Sequence, residues 1–103
     1  MSEYTPDQWV VIEITAPNGE QIRRVLAGWY GGFARSNEWR MNSGIKEVVE
    51  HGTHYEFKGY SGSTYYCYKN AYGMSMLMQD VFSNLEHQHG DNIKLVEGYN
   101  ETF

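Results

Sequence analysis

Two β-prone runs, residues 8–16 and 20–29, are joined by Pro17-Asn18-Gly19, and this junction constrains the fold more than any other feature of the chain. Asn-Gly between two such runs is the strongest short-range signal for an antiparallel hairpin, because both residues tolerate the positive φ that a tight turn needs. In the first run Val10, Ile12, Ile14 and Ala16 fall on one parity, and Trp9, Val11, Glu13 and Thr15 on the other. That alternation predicts a strand with one buried face. In the second run Ile22, Leu26 and Tyr30 share a parity with Arg24, while Val25, Ala27 and Trp29 share theirs with Arg23, so both faces should be partly covered toward its end. Three glycines among three aromatics at residues 28–33 predict a bulge or sharp bend.

Short strands are expected at residues 38–41, 45–50, 53–60 and 63–68, separated by Asn42-Ser43-Gly44, His51-Gly52 and a two-residue-type turn at Ser61-Gly62. No helical pattern separates them, which indicates an antiparallel meander rather than crossover units. One helical signal follows. Met74, Leu77, Met78, Val81, Phe82 and Leu85 recur at the spacing of a single helix face, with Gly73 before the first turn and Gly90 after the last. Gln79, Asp80, Ser83, Asn84, Glu86 and Gln88 should face water. Ile93, Leu95 and Val96 suit a last short edge strand. The expected fold is therefore α+β: a strongly curved antiparallel sheet, of the kind seen in small SH3-like barrels, with one C-terminal amphipathic helix covering its open face.

At 103 residues the chain matches one domain, 1–103, with residues 1–6 and 98–103 expected as loose termini. No apolar run approaches the ~20 residues needed to cross a bilayer, and the first residues carry no secretory pattern. The single Cys67 suits a reducing compartment, so a cytoplasmic location is expected. Eight Lys+Arg against thirteen Asp+Glu give a net charge of -5, opposite to the basic surface of a phosphate-backbone binder. Nucleic acid is thereby disfavoured as a partner. All four arginines nevertheless lie within residues 1–45, where Arg23, Arg24, Arg35 and Arg40 can form a local positive patch.

Catalytic chemistry finds little support. The glycines of residues 28–32 lack the spacing and the Lys-Ser/Thr ending of a phosphate-binding loop. Cys67 has tyrosines around it in sequence but no flanking base, and reads as a small buried hydrophobe. His51 and His54 flank a turn, whereas His87 and His89 stand two apart at the end of the helix and face different directions. With no Cys pair or HExxH spacing beside them, no metal and no cofactor are expected. Late-helix histidines are explained by the helix dipole.

The unusual feature is the aromatic load of three Trp, nine Tyr and four Phe, of which a chain this size can bury only part. Tyr and Trp concentrate at protein interfaces because each offers a large contact area with a polar tip. Arg24, Trp29, Tyr30, Phe33, Arg35, Trp39 and Arg40 are the expected partner-binding residues, with Trp29 and Tyr30 as anchors and Arg35 and Arg40 pairing with acids of the partner. Glu47, Glu50 and Glu56 form an alternative acidic contact, able to compete for a nucleic-acid site. The rival reading is a single-stranded nucleic-acid binder in which Trp29, Tyr30 and Phe33 stack on bases.

The stretches Trp9-Val10-Val11-Ile12, Arg24-Val25-Leu26-Ala27-Gly28-Trp29-Tyr30-Gly31-Gly32, Trp39-Arg40-Met41-Asn42-Ser43-Gly44-Ile45 and Ser61-Gly62-Ser63-Thr64-Tyr65-Tyr66-Cys67 resemble an uncharacterised family of small proteins encoded by tailed bacteriophages. The resemblance spans about residues 7–90. It implies an interaction role in the host cytoplasm, a small acidic protein that binds and blocks a host or defence protein, rather than an enzymatic one. A homodimer is compatible with the same reading.

Overall fold

The computed structural model describes residues 2–30 and 38–99. Strand β1 (Glu3–Tyr4) is followed by β2 (Gln8–Thr15), β3 (Gln21–Trp29), β4 (Glu38–Met41), β5 (Ile45–Glu50), β6 (His54–Gly59) and β7 (Thr64–Tyr68). A 3-10 turn (Lys69–Ala71) leads to helix α1 (Met76–His89), and a second (Gly90–Asn92) leads to β8 (Ile93–Leu95). The strands form two four-stranded sheets, ordered β1-β7-β6-β5 and β4-β3-β2-β8. The fold is α+β, and the sheets do not close into the barrel expected from the sequence.

Turn chemistry explains the hairpins. Between β2 and β3 the Ala16 N–H donates to the Glu20 carbonyl at 2.7 Å, so the loop is the three residues Pro17-Asn18-Gly19. Gly19 takes the left-handed φ of 87° and its N–H donates to the Ala16 carbonyl at 2.8 Å. Tyr60-Ser61-Gly62 repeats this arrangement between β6 and β7, with Gly62 at φ 95° and the Gly59 N–H donating to the Ser63 carbonyl at 2.8 Å. The Pro17-Asn18-Gly19 junction is the loop expected, whereas the two-residue turn expected at Ser61-Gly62 is a three-residue loop; each is closed by a left-handed glycine, a common hairpin solution.

Three layers follow from the register. Trp9, Val11, Val25 and Ala27 from β2 and β3 meet Tyr55, Phe57, Tyr65 and Cys67 from β6 and β7 in one core between the sheets. On the opposite face of the same two strands, Val10, Ile12 and Leu26 pack with Met78, Val81, Phe82 and Leu85 of α1. Strand β2 is therefore buried on both faces, contrary to the single buried face expected. Trp9 is sealed at the centre, its ring in edge-to-face contact with Tyr55, Tyr72 and Tyr99 and its Nε1 donating to the Tyr68 carbonyl at 2.6 Å. Gly28 lies in β3 because the helix comes close there: a Cβ would stand 2.5 Å from the Met78 sulfur. Packing of α1, not a bulge, explains that glycine; the bend expected at 31–33 falls outside the described residues.

Helix α1 starts two residues after the expected first turn, because Ser75 is its N-cap and its Oγ accepts from the Met78 N–H at 3.3 Å. It stops as expected at Gly90, whose φ is 57°. Residues 3, 4 and 99, which fall in segments expected to be loose, are packed against the rest of the chain. Glu3 and Tyr4 pair in parallel with Thr64 and Tyr65 as an edge strand, and Tyr99 packs against Trp9, Tyr55 and Phe57. Asn42 carries the chain from one sheet to the other: its Oδ1 accepts from the Val25 and Gly44 N–H groups at 2.9 and 3.3 Å, replacing a strand partner.

Candidate functional site

The expected contact residues divide between two faces of the β4-β3-β2-β8 sheet. Trp39 pairs with Gly28 and Arg24 with Ile12, so both stand on the helix-covered side. Arg40 pairs with Ala27 and therefore stands on the side facing the second sheet, where its guanidinium lies 4.7 Å from the centre of the Tyr4 ring. Trp29 shares that side. It is half-buried, meets Tyr4 edge-on at 6.1 Å, and its Nε1 donates to the Thr5 carbonyl at 3.0 Å. Arg24 is also half-buried, with no hydrogen-bond partner for its Nε among the described residues. Phe33 and Arg35 lie outside the described residues.

What stays open is a smaller patch. Trp39 is 45% exposed, Tyr30 58% and Met76 82%. All three belong to one end of the sheet: Tyr30 directly follows β3, Trp39 pairs across from Gly28, and Met76 begins the helix whose cap Ser75 sits over Gly28. Tyr30 is held in place by its own chain. Its N–H donates to Asp7 Oδ2 at 2.8 Å and its hydroxyl to Gln8 Oε1 at 2.6 Å. A ring fixed in this way exposes apolar area with little entropy left to lose on contact. Met76 was absent from the expected set; its place in the first helical turn, off the apolar stripe, was the available signal.

The alternative acidic contact does not form one acidic face. Glu47 and Glu56 project from the outer face of the β1-β7-β6-β5 sheet, whereas Glu50 pairs across from the buried Tyr55 and turns to the other side. Each is also matched by a cation or an imidazole: Glu47 with Lys58 at 4.0 Å, Glu50 with Lys69 at 2.6 Å and Glu56 with His51 at 2.7 Å. Beside Glu47 and Glu56 the outer face dips into an open depression of about 430 Å³, floored by Lys58, Thr64 and Tyr66.

Among the described residues, burial raises the titration of Cys67 and Tyr65. Cys67 is fully enclosed and burial pushes its thiol well above the ordinary cysteine range, so the thiolate is suppressed. Burial likewise raises the Tyr65 hydroxyl to about 12. Among the described residues the one buried carboxylate, Glu13, receives a 3.0 Å hydrogen bond from Arg23 Nε and lies 3.6 Å from Lys94. The Arg23 hydrogen bond holds it below the usual carboxylate value, against the opposing effect of burial.

Comparison of the chain with protein-family models, with curated proteins and with solved structures found no match. No helix among the described residues is long and apolar enough to cross a membrane.

Proposed function

We propose that the chain is a non-enzymatic protein-binding module that docks through Tyr30, Trp39 and Met76. The observation that carries this reading is the 45% exposure of Trp39 at the end of the sheet to which the fixed Tyr30 and the exposed Met76 also belong. Trp9 and Trp29, by contrast, spend their indole N–H groups and ring faces within the chain. Aromatic and methionine side chains presented together are the usual energetic centre of a protein interface. Arg24, on the same side of the sheet as Trp39, and the expected Phe33 and Arg35 would contribute at the rim, whereas Arg40 stands on the other side. Within the bacteriophage resemblance the partner is a protein of the host or its defences and the module acts in the host cytoplasm by occupying that protein's surface.

The test is affinity capture from a host-like lysate followed by reconstitution of the complex from the purified partner. Replacing Trp39 by Ala should weaken that complex about 30-fold or more, the scale of a hot-spot residue. Undiminished affinity in a folded Trp39→Ala, Tyr30→Ser double variant removes this surface from the proposal. Titration with a labelled single-stranded oligonucleotide addresses the rival reading: binding that collapses steeply with salt would replace the protein partner with nucleic acid.

A further inference from the structure

We infer that the tip of the β5-β6 hairpin is a binding site for a divalent transition-metal ion of the zinc class, with His51, His54 and Glu56 as its three protein ligands. The turn creates the constellation. Only Gly52 and Thr53 separate the two histidines, and the His51 N–H donates to the His54 carbonyl at 2.8 Å, so the pair closes the hairpin. Facing residues of an antiparallel pair project to the same side of a sheet. Glu56, two residues beyond His54 on β6, projects there as well. One donor atom from each of the three lies within 4.8 Å of the other two.

The donor chemistry selects the ion. Two imidazoles with one carboxylate suit zinc and its neighbours, and three protein ligands leave a coordination position for water. That water has access, because the His51 side chain is 41% exposed and that of Glu56 23%. The rings now stack, their centres 4.5 Å apart and their planes 17° from parallel. Lone pairs of imidazole lie in the ring plane, so capture of an ion requires a rotation of the rings about their Cβ–Cγ bonds. The carboxylate is already in place, 2.7 Å from His51 Nε2. Thr53 supplies an orienting group, its Oγ1 3.1 Å from His54 Nδ1. In the tautomer in which that hydroxyl accepts from Nδ1–H, Nε2 is the free donor of His54, the arrangement by which outer hydrogen bonds orient metal-bound histidines. Tyr68 stands beside His54 as a side wall, with ring centres 5.6 Å apart. The sequence signal was His51-Gly-Thr-His54-Tyr-Glu56, a spacing that becomes a ligand set only when the turn between the histidines has two residues.

Calorimetric titration of the full chain with zinc chloride alone is the experiment. One ion should bind per chain, and His51→Ala, His54→Ala and Glu56→Gln should each weaken binding about a hundredfold, since loss of even an outer-shell partner costs 10–100-fold. The His87→Ala, His89→Ala double variant should bind as the parent does. Circular dichroism of each variant separates lost ligands from lost structure. In the unaltered chain, zinc-induced shifts of the imidazole proton resonances should be confined to His51 and His54. Absence of saturable uptake at about 1 mM zinc, retention of binding by the His54→Ala variant, or shifts at His87 and His89 instead would each overturn the proposal.

Discussion

Glu13 shows how much one register position decides. It sits across from Arg23 on β3 and from Lys94 on β8, so its carboxylate, 95% shielded, has a cation on either flank. Reading the sequence, Glu13 was simply the first polar residue on the Trp9 parity. The structure makes it the polar end of the core between the sheets. Because its pKa is lowered on folding, chiefly by the Arg23 hydrogen bond, the unfolded chain binds its proton more readily than the folded one. The stabilisation is therefore complete above the ordinary value of 4.5 and is lost as pH falls through the lower folded value. Arg23 is itself 50% exposed, so screening limits the contribution to about 1 kcal/mol. Denaturant unfolding measured between pH 3 and 7 should show this loss in the parent chain and not in Glu13→Gln; parallel pH profiles would show that the pair contributes nothing.

Elements were largely legible because their signals are local. Strands β2 to β8, the helical stripe and the glycine stop at Gly90 stand within a residue or two of their expected places, whereas β1 carried no signal in the sequence. The errors concern boundaries where two residue types compete for one role. Gly73 looked like the residue before the helix, yet Ser75 supplies the side-chain oxygen that an N-terminus requires. Gly73 instead turns the chain at φ 151°, in a space where a Cβ would stand 3.1 Å from Gln8 Nε2. The same competition lengthened the turn between β6 and β7, since Gly62 takes the left-handed position that closes the loop rather than the second place of a two-residue turn. Ser75→Ala removes the cap while leaving the apolar stripe intact, and should cost about 1 kcal/mol. For a domain of this size the corresponding drop in Tm is about 5 °C, readable in a thermal melt followed by circular dichroism. An unchanged Tm would mean that packing of Met78 and its neighbours alone fixes the start of α1.

At the scale of the molecule the sequence was harder to read, because layering depends on which faces meet. Residues 9–12 are Trp, Val, Val and Ile, an unbroken apolar run, and such runs belong to strands covered on both sides. Strict alternation begins only beyond Glu13, which is why the strand looked half-buried. The expected contact residues divide for the related reason that sequence neighbours point apart: Trp39 and Arg40 lie on opposite faces of β4, so their described members occupy two faces rather than one. His51 and Glu56, five residues apart, meet because the hairpin register brings them together diagonally. The layering has a measurable consequence. Amides of β2 and β3 lie beneath α1 on one side and the second sheet on the other, so their exposure requires opening of both cores at once. Those of α1 need only the outer core to open. Native-state hydrogen exchange should accordingly find Val10, Val11, Ile12, Val25 and Leu26 the slowest to exchange, close to the global unfolding limit, with α1 faster. Equal protection of α1 and β2 would mean that the helix never leaves the sheet separately and that all three layers open as one unit.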